Sequence, residues 1–130
     1  MKSRNWLAAI FGLTAATASA APPPAAQKAE HAVVVHFFNY GSKDLSRLFQ
    51  LERRLESAIA EGGVGEYDGN EIATDGSDGF LYMYGPDADA LFKVVKPILL
   101  DTTFTRGAKA KLRYGPPNAG AKEVVVVVEP

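Results

Sequence analysis

The feature that most constrains the fold is an amphipathic helical pattern that directly follows an uninterrupted apolar strand. Along about four turns, apolar side chains recur at three- and four-residue steps, which is typical of a helix with one buried face; they are Leu45, Leu48, Phe49, Leu51, Leu55, Ala58 and Ile59. Gly62-Gly63 predicts where this helix ends, and Ser42 or Asp44 is expected to cap its start. The preceding run, His31 to Tyr40, is continuously apolar around Val33–Val35 and predicts a central strand with both faces covered.

The middle of the chain predicts a hairpin followed by a second helix. Val64 to Ala73 is a weak strand pattern, residues 74–79 form a turn, and Phe80 to Tyr84 alternates as a strand. Asp87 is expected to cap the second helix, and Pro97 is expected to kink it or to end it just before that residue.

The C-terminal part predicts two more strands. Ala108 to Tyr114 alternates apolar residues with Lys109, Lys111 and Arg113, the pattern of a half-buried strand with a basic face at a sheet edge. Val124 to Val128 is a further strand that either extends an edge or pairs with a second copy. The order of elements predicts an α+β, ferredoxin-like βαββαβ fold: an antiparallel sheet with two helices on one face, plus an extra C-terminal strand.

The first twenty residues have the layout of a signal peptide. A short basic start precedes an apolar stretch from Trp6 to Ala16, and Ala18-Ser19-Ala20 predicts cleavage before Ala21. The apolar stretch is shorter than the roughly 20 residues that span a membrane. We therefore expect a periplasmic or secreted protein without membrane contact after cleavage. Residues 21–31 are interpreted as a disordered Ala/Pro-rich tether, and residues 32–130 as a single domain.

Charge and cysteine content exclude several classes of function. The signal peptide carries two of the 14 basic residues and none of the 15 acidic ones, so the mature chain has 12 minus 15, a net charge of −3. This balance argues against nucleic acid or an anionic membrane as the main partner. The chain has no cysteine, which excludes a disulfide scaffold, a thiolate zinc site and a thiol enzyme. No cofactor is predicted, and no metal site is assigned.

Two groups of polar residues are candidates for chemistry. His36, on the expected central strand, is a candidate general base if a carboxylate lies beside it. Glu66, Asp68 and Glu71 are candidate oxygen ligands for a hard cation such as calcium, although strand alternation places Glu66 and Asp68 on one face and Glu71 on the other.

Aromatic residues supply further binding candidates, namely Tyr67, Tyr82 and Tyr84. Together with the basic strand, Tyr82 and Tyr84 resemble the surfaces on which sheets stack nucleic-acid bases. The RNA-binding signature is missing, so we expect these aromatics to line the core or a subunit interface.

Three segments resemble a group of small bacterial α+β domains without an established activity: GVGEYDG (63–69), LYMYGPDAD (81–89) and LRYGPP (112–117). The resemblance covers roughly Val33 to Pro117. It implies the ferredoxin-like fold and a bacterial source, and it assigns no functional residue.

The sequence thus favours a non-catalytic binding or protein-interaction module with an unknown protein or small-molecule partner. The helix-free sheet face is expected to pair with a second copy, giving a homodimer through the sheet, or with another partner. The alternative is a small enzyme or cation-binding protein that uses His36 with Glu66, Asp68 or Glu71.

Overall fold

Five strands and two helices follow one another in the predicted order in the computed structural model, which describes residues 30–118 and 120–130. They are β1 (His31–Phe38), α1 (Ser46–Gly62), β2 (Glu66–Ile72), β3 (Asp78–Gly85), α2 (Ala88–Leu100), β4 (Lys109–Arg113) and β5 (Glu123–Val127). The predicted signal peptide and residues 21–29 of the predicted tether lie outside the described residues. His31, the last residue of the predicted tether and the first of the predicted apolar run, is the first residue of β1.

The strands form one antiparallel sheet in the order β2-β3-β1-β4-β5. The predicted α+β fold, with a central β1 and an extra strand, is therefore confirmed. The prediction that the basic strand β4 lies at an edge is wrong, because β5 pairs with it from Lys109↔Val127 to Arg113↔Glu123. Of the two alternatives for the valine strand, the structure has the one that extends an edge.

Both helices pack on the same face of the sheet. Their buried side chains, including Leu48, Leu55 and Leu91, share one core with Val33 and Phe37. No described helix covers the other face of β1, which carries Ala32, Val34, His36 and Phe38. The apolar run of β1 reflects strands on both sides, a core on one face and a second face lined with aromatic residues. Neither helix of the described part combines the length and hydrophobicity that crossing a membrane requires.

The start of α1 differs from the prediction. Leu45 occupies the N-cap position and makes no side-chain capping hydrogen bond, so the expected cap by Ser42 or Asp44 is wrong. The Asp44 carboxylate lies one residue too early and accepts hydrogen bonds from the Ser46 backbone N–H at 2.9 Å and hydroxyl at 2.6 Å. These hydrogen bonds lower the pKa of Asp44. The helix ends as predicted, with Gly63 in the left-handed conformation at φ 61°.

The second helix confirms its predicted cap. Asp87 Oδ1 accepts from the backbone N–H of Asp89 at 3.0 Å and of Ala90 at 3.3 Å. The helix does not end before Pro97 but continues to Leu100. One more turn buries Leu99 completely, and the Asp101 N–H closes that turn on the Pro97 carbonyl at 3.1 Å.

Two glycines, Gly65 in the segment 63–69 and Gly85 in the segment 81–89, occupy positions where the backbone leaves no room for a side chain. A Cβ at Gly65, where φ is +147°, would lie 2.0 Å from the Tyr84 carbonyl oxygen. A Cβ at Gly85 would lie 2.2 Å from the Val64 carbonyl oxygen. The chain entering β2 therefore crosses the end of β3 in backbone contact, which a larger residue would prevent.

Candidate functional site

The sheet face that carries no described helix, here called the open face, presents side chains from all five strands. Directly paired residues of antiparallel strands point to the same side, so the pairings His36↔Phe80 and His36↔Lys109 fix which residues belong to it. Its larger side chains are Val34, His36, Phe38, Glu66, Glu71, Asp78, Phe80, Tyr82, Tyr84, Lys109, Lys111, Arg113, Glu123, Val125 and Val127.

Four rings on β1 and β3 form a continuous aromatic strip at the centre of the open face: Phe38, His36, Phe80 and Tyr82. His36 stacks on Phe80 at 4.1 Å between ring centroids and lies 4.2 Å from Phe38. Phe80 continues the stack to Tyr82 at 6.1 Å. Phe38 is 41% exposed, and on the far side of β4 the valines Val125 and Val127 are 57% and 45% exposed. The open face thus presents aromatic surface at its centre and apolar surface at its β5 edge to solvent.

The imidazole of His36 contacts a carboxylate that the sequence interpretation did not assign to it. Its Nε2 lies 2.8 Å from Asp78 Oδ2, and the two side chains are 30% and 38% exposed. Asp78, interpreted from the sequence as a turn residue, is the first residue of β3 and pairs with Phe38. His36 therefore has the carboxylate neighbour that a general base uses, but this neighbour is Asp78 and not Glu66, Asp68 or Glu71.

A β-bulge changes how the candidate acids are placed. The pairing of β2 with β3 shifts between Tyr67 and Gly69, so Asp68 is the extra residue. As a result Glu66 lies opposite Tyr84 and Glu71 opposite Phe80, and both belong to the open face. The expectation that Glu71 points away from Glu66 is wrong, because the extra residue reverses the alternation between them.

The acids of β2 do not gather into a metal site. Glu66 is exposed, and Glu71 accepts a hydrogen bond from the Tyr82 hydroxyl. The described residues hold no group of three or more His, Asp or Glu side chains placed to share a metal ion. Glu66 and Glu71, here called the acidic row, instead form one border of the aromatic strip.

The opposite border is the basic row, Lys109, Lys111 and Arg113 of β4. Both lysines are exposed, while Arg113 is half-buried. The Arg113 guanidinium donates to the Gly115 carbonyl at 2.7 Å and to the Glu30 carbonyl at 3.0 Å. Across the strands the open face therefore runs from acidic β2 through aromatic β3 and β1 to basic β4, and it ends on β5 with Glu123, Val125 and Val127.

Tyr67, a candidate from the sequence, faces the helices. Its hydroxyl donates to Glu52 Oε2 of α1 at 2.7 Å, and Asn70 Nδ2 donates to the same oxygen at 2.7 Å. Burial, with the Glu52 charge as the next cause, raises the pKa of the Tyr67 phenol far above its usual range. Glu52 and Asn70 were not found from the sequence, since nothing in the local pattern distinguishes a carboxylate that contacts β2 from one that faces solvent.

A shallow depression of about 230 Å³ lies beside the aromatic strip, lined by Glu71, Asp78 and Phe80 among others. Pockets for small organic ligands typically occupy about 300–1,000 Å³. The depression is therefore below the usual size of a small-molecule pocket, and the extended strip around it favours contact with another surface.

Comparison of the chain with protein-family models, with curated proteins and with solved structures gives no match.

Proposed function

We propose that the protein is a non-catalytic protein-interaction module and that the open face is its binding surface. The observation that carries this proposal is the aromatic strip, a stack of rings that is half-buried at His36, Phe80 and Tyr82 and exposed at Phe38, on a face without a described helix. Aromatic side chains dominate the energy of protein interfaces because each buries a large area at a small cost in entropy. Contiguous exposed apolar patches on small proteins mark such interfaces.

The charges around the strip favour a protein over a nucleic acid as the partner. The basic row and the aromatic strip together resemble a base-stacking sheet. However, Glu66, Glu71 and Asp78 border the same strip, and a phosphate backbone crossing the face would meet them. A protein partner with charges of both signs is compatible with both borders.

We also propose that the protein acts outside the cytoplasm, in the periplasm or as a secreted protein. The basic start, the short apolar stretch and the small residues before Ala21 support this proposal. Intact-mass measurement of the native protein is expected to give a chain that begins at Ala21. A soluble cytoplasmic chain that retains residues 1–20 would refute export.

The binding surface is tested by photo-crosslinking with a matched control. A benzophenone amino acid replaces Phe38 on the open face or Phe49 on α1; these phenylalanines are 41% and 46% exposed. In cells that naturally produce the protein, irradiation is expected to give one discrete protein adduct from position 38 and none from position 49. Equal or absent crosslinking from the two positions would contradict the proposal, because only the face distinguishes them.

A further inference from the structure

We infer that the partner of the open face is a second copy of this chain, packed sheet against sheet about a two-fold axis parallel to the strands. The inference rests on the proposed function and adds the identity of the partner to it. The evidence for a second copy is the charge pattern of the open face, which the register of the strands fixes.

Two rows of directly paired residues cross the sheet from β2 to β4. One row runs Glu71, Phe80, His36, Lys109, and the other runs Glu66, Tyr84, Ala32, Arg113. In both rows the acid stands on β2, the base stands on β4, and two uncharged or aromatic positions separate them. From β2 to β4 the polarity of charge is therefore the same at both ends of the strands, and beyond β4 Arg113 has Glu123 of β5 directly beside it.

Only one of the two in-plane symmetry axes makes this pattern self-complementary. An axis that runs across the strands places the acidic row over the acidic row of the second copy, and base over base. An axis that runs along the strands, between β3 and β1, places β2 of one copy over β4 of the other and β3 over β1. Each residue keeps its height along the strand direction. This axis places Glu71 opposite Lys109 of the second copy and Glu66 opposite Arg113 of the second copy, in an isologous contact.

The same axis brings the aromatic centres together. Phe80 of one copy faces His36 of the other, and Tyr82 faces Val34. Packed sheets lie about 10 Å apart, a gap that interdigitating side chains of this size fill. The aromatic strip, with the His36–Asp78 pair within it, then occupies the middle of the contact and charged pairs occupy its borders. An apolar core with a polar rim is the usual anatomy of a protein interface.

The area of the open face suits a small dimer. The axis overlaps β2, β3, β1 and β4 with the same strands of the second copy and leaves β5 outside. Four strands about 4.8 Å apart, with about 3.3 Å of rise per residue, give a flat area of about 440 Å². Side-chain relief raises the accessible area above this value, towards the roughly 800 Å² per partner of a standard interface. We therefore expect a dissociation constant of the order of micromolar, which rises with salt as the border pairs are screened.

Charge reversal tests the arrangement by sedimentation velocity on protein purified from cells that express the full chain. Glu71→Lys and Lys109→Glu are each expected to weaken dimerisation about tenfold, because each change places like charges opposite one another at two symmetric positions. The double variant Glu71→Lys/Lys109→Glu is expected to restore affinity to within about threefold. Within one copy these residues stand three strands apart, about 14 Å, so rescue reports a contact between copies.

A matched control and a second pair keep the test decisive. Lys93→Glu makes the same change of charge on exposed α2 and is expected to leave the dimer unaffected. If Glu71→Lys unfolds the protein because it removes the acceptor of the Tyr82 hydroxyl, Glu66→Arg repeats the charge reversal on the second row from an exposed residue. It places like charges opposite one another and is again expected to weaken dimerisation about tenfold. A protein that stays monomeric up to about 1 mM, or a double variant as weak as either single one, overturns the inference.

The crosslink from position 38 separates failure of this inference from failure of the proposed function. An adduct of twice the chain mass agrees with the second copy. A discrete adduct with a different protein, from a chain that sediments as a monomer, overturns the second copy and keeps the interaction surface. Binding of a single-stranded oligonucleotide that Lys109→Glu abolishes also overturns it, in favour of nucleic acid. The absence of any specific adduct contradicts both the second copy and the interaction surface.

Discussion

Replacing Glu52 with leucine is predicted to lower the free energy of unfolding more than replacing any exposed charged residue of the same helix. One carboxylate oxygen, Glu52 Oε2, accepts the hydroxyl of Tyr67 and the amide of Asn70, both at 2.7 Å. Leucine is close to glutamate in size and offers no acceptor, so both donors lose their partner inside the contact between α1 and β2.

The magnitude follows from the burial of the two donors. Asn70 is 5% exposed and cannot regain water, so its orphaned amide costs about 1–3 kcal/mol. Tyr67 is half-buried and recovers part of its hydrogen bond from solvent, which adds about 1 kcal/mol. We therefore expect Glu52→Leu to lower the free energy of unfolding by about 2–4 kcal/mol. Glu52→Gln keeps one acceptor oxygen and is expected to lose about half as much.

Urea denaturation measures this loss as a shift in midpoint at unchanged slope. Glu61→Leu is the control, because it removes the same charge from an exposed position of α1 and is expected to change stability by less than about 0.5 kcal/mol. A Glu52→Leu protein as stable as wild type, or equal losses in the two variants, would show that the shared carboxylate does not hold β2 to α1.

Two further predictions concern the phenol of Tyr67 and the glycine at the start of β2. The folded protein retains the Tyr67 phenol proton above about pH 10, where the unfolded chain releases it. The free energy of unfolding therefore falls as the pH rises, by up to about 1.4 kcal/mol per pH unit. Tyr67→Phe is expected to remove this contribution from the pH dependence of alkaline denaturation, and an unchanged slope would contradict the role of burial. Gly65→Ala is expected to cost more than about 3 kcal/mol by the same urea assay, because the new Cβ would meet the Tyr84 carbonyl oxygen at 2.0 Å. Gly63→Ala, also at positive φ but with nothing within 4 Å of its Cβ, is the control and is expected to cost only about 1–2 kcal/mol of backbone strain.

Patterns of three or four residues predicted the order of the elements and most of the buried face of α1. The placement of Phe49 in that buried stripe is wrong, because its side chain is 46% exposed. Leu48, Leu51, Leu55 and Ile59, all in the predicted stripe, are the buried residues of α1. Asp87 was predicted as a cap from its position alone, because a cap bonds to N–H groups two and three residues away. These interactions are local, so the sequence contains what decides them.

The candidate site depended on contacts that no local pattern specifies. Asp78 and His36 are 42 residues apart along the chain, and they make contact only because β3 lies beside β1. The charge order of the open face likewise requires β4 to lie inside β5, whereas the alternating pattern of β4 alone indicated an edge. Strand order is set by which elements complete a shared core, and that choice involves the whole domain.

The placement of the β2 acids shows most directly what the sequence could predict and what depended on the tertiary structure. Alternation along the sequence predicted that β2 has two faces, with Glu66 and Asp68 on one and Glu71 on the other. The tertiary structure alone decided that Glu66 and Glu71 share a face, because one extra residue at Asp68 lets both Tyr67 and Asn70 reach Glu52 on the helix side. Satisfying those buried polar groups fixes the register, and the register in turn arranges the acidic row.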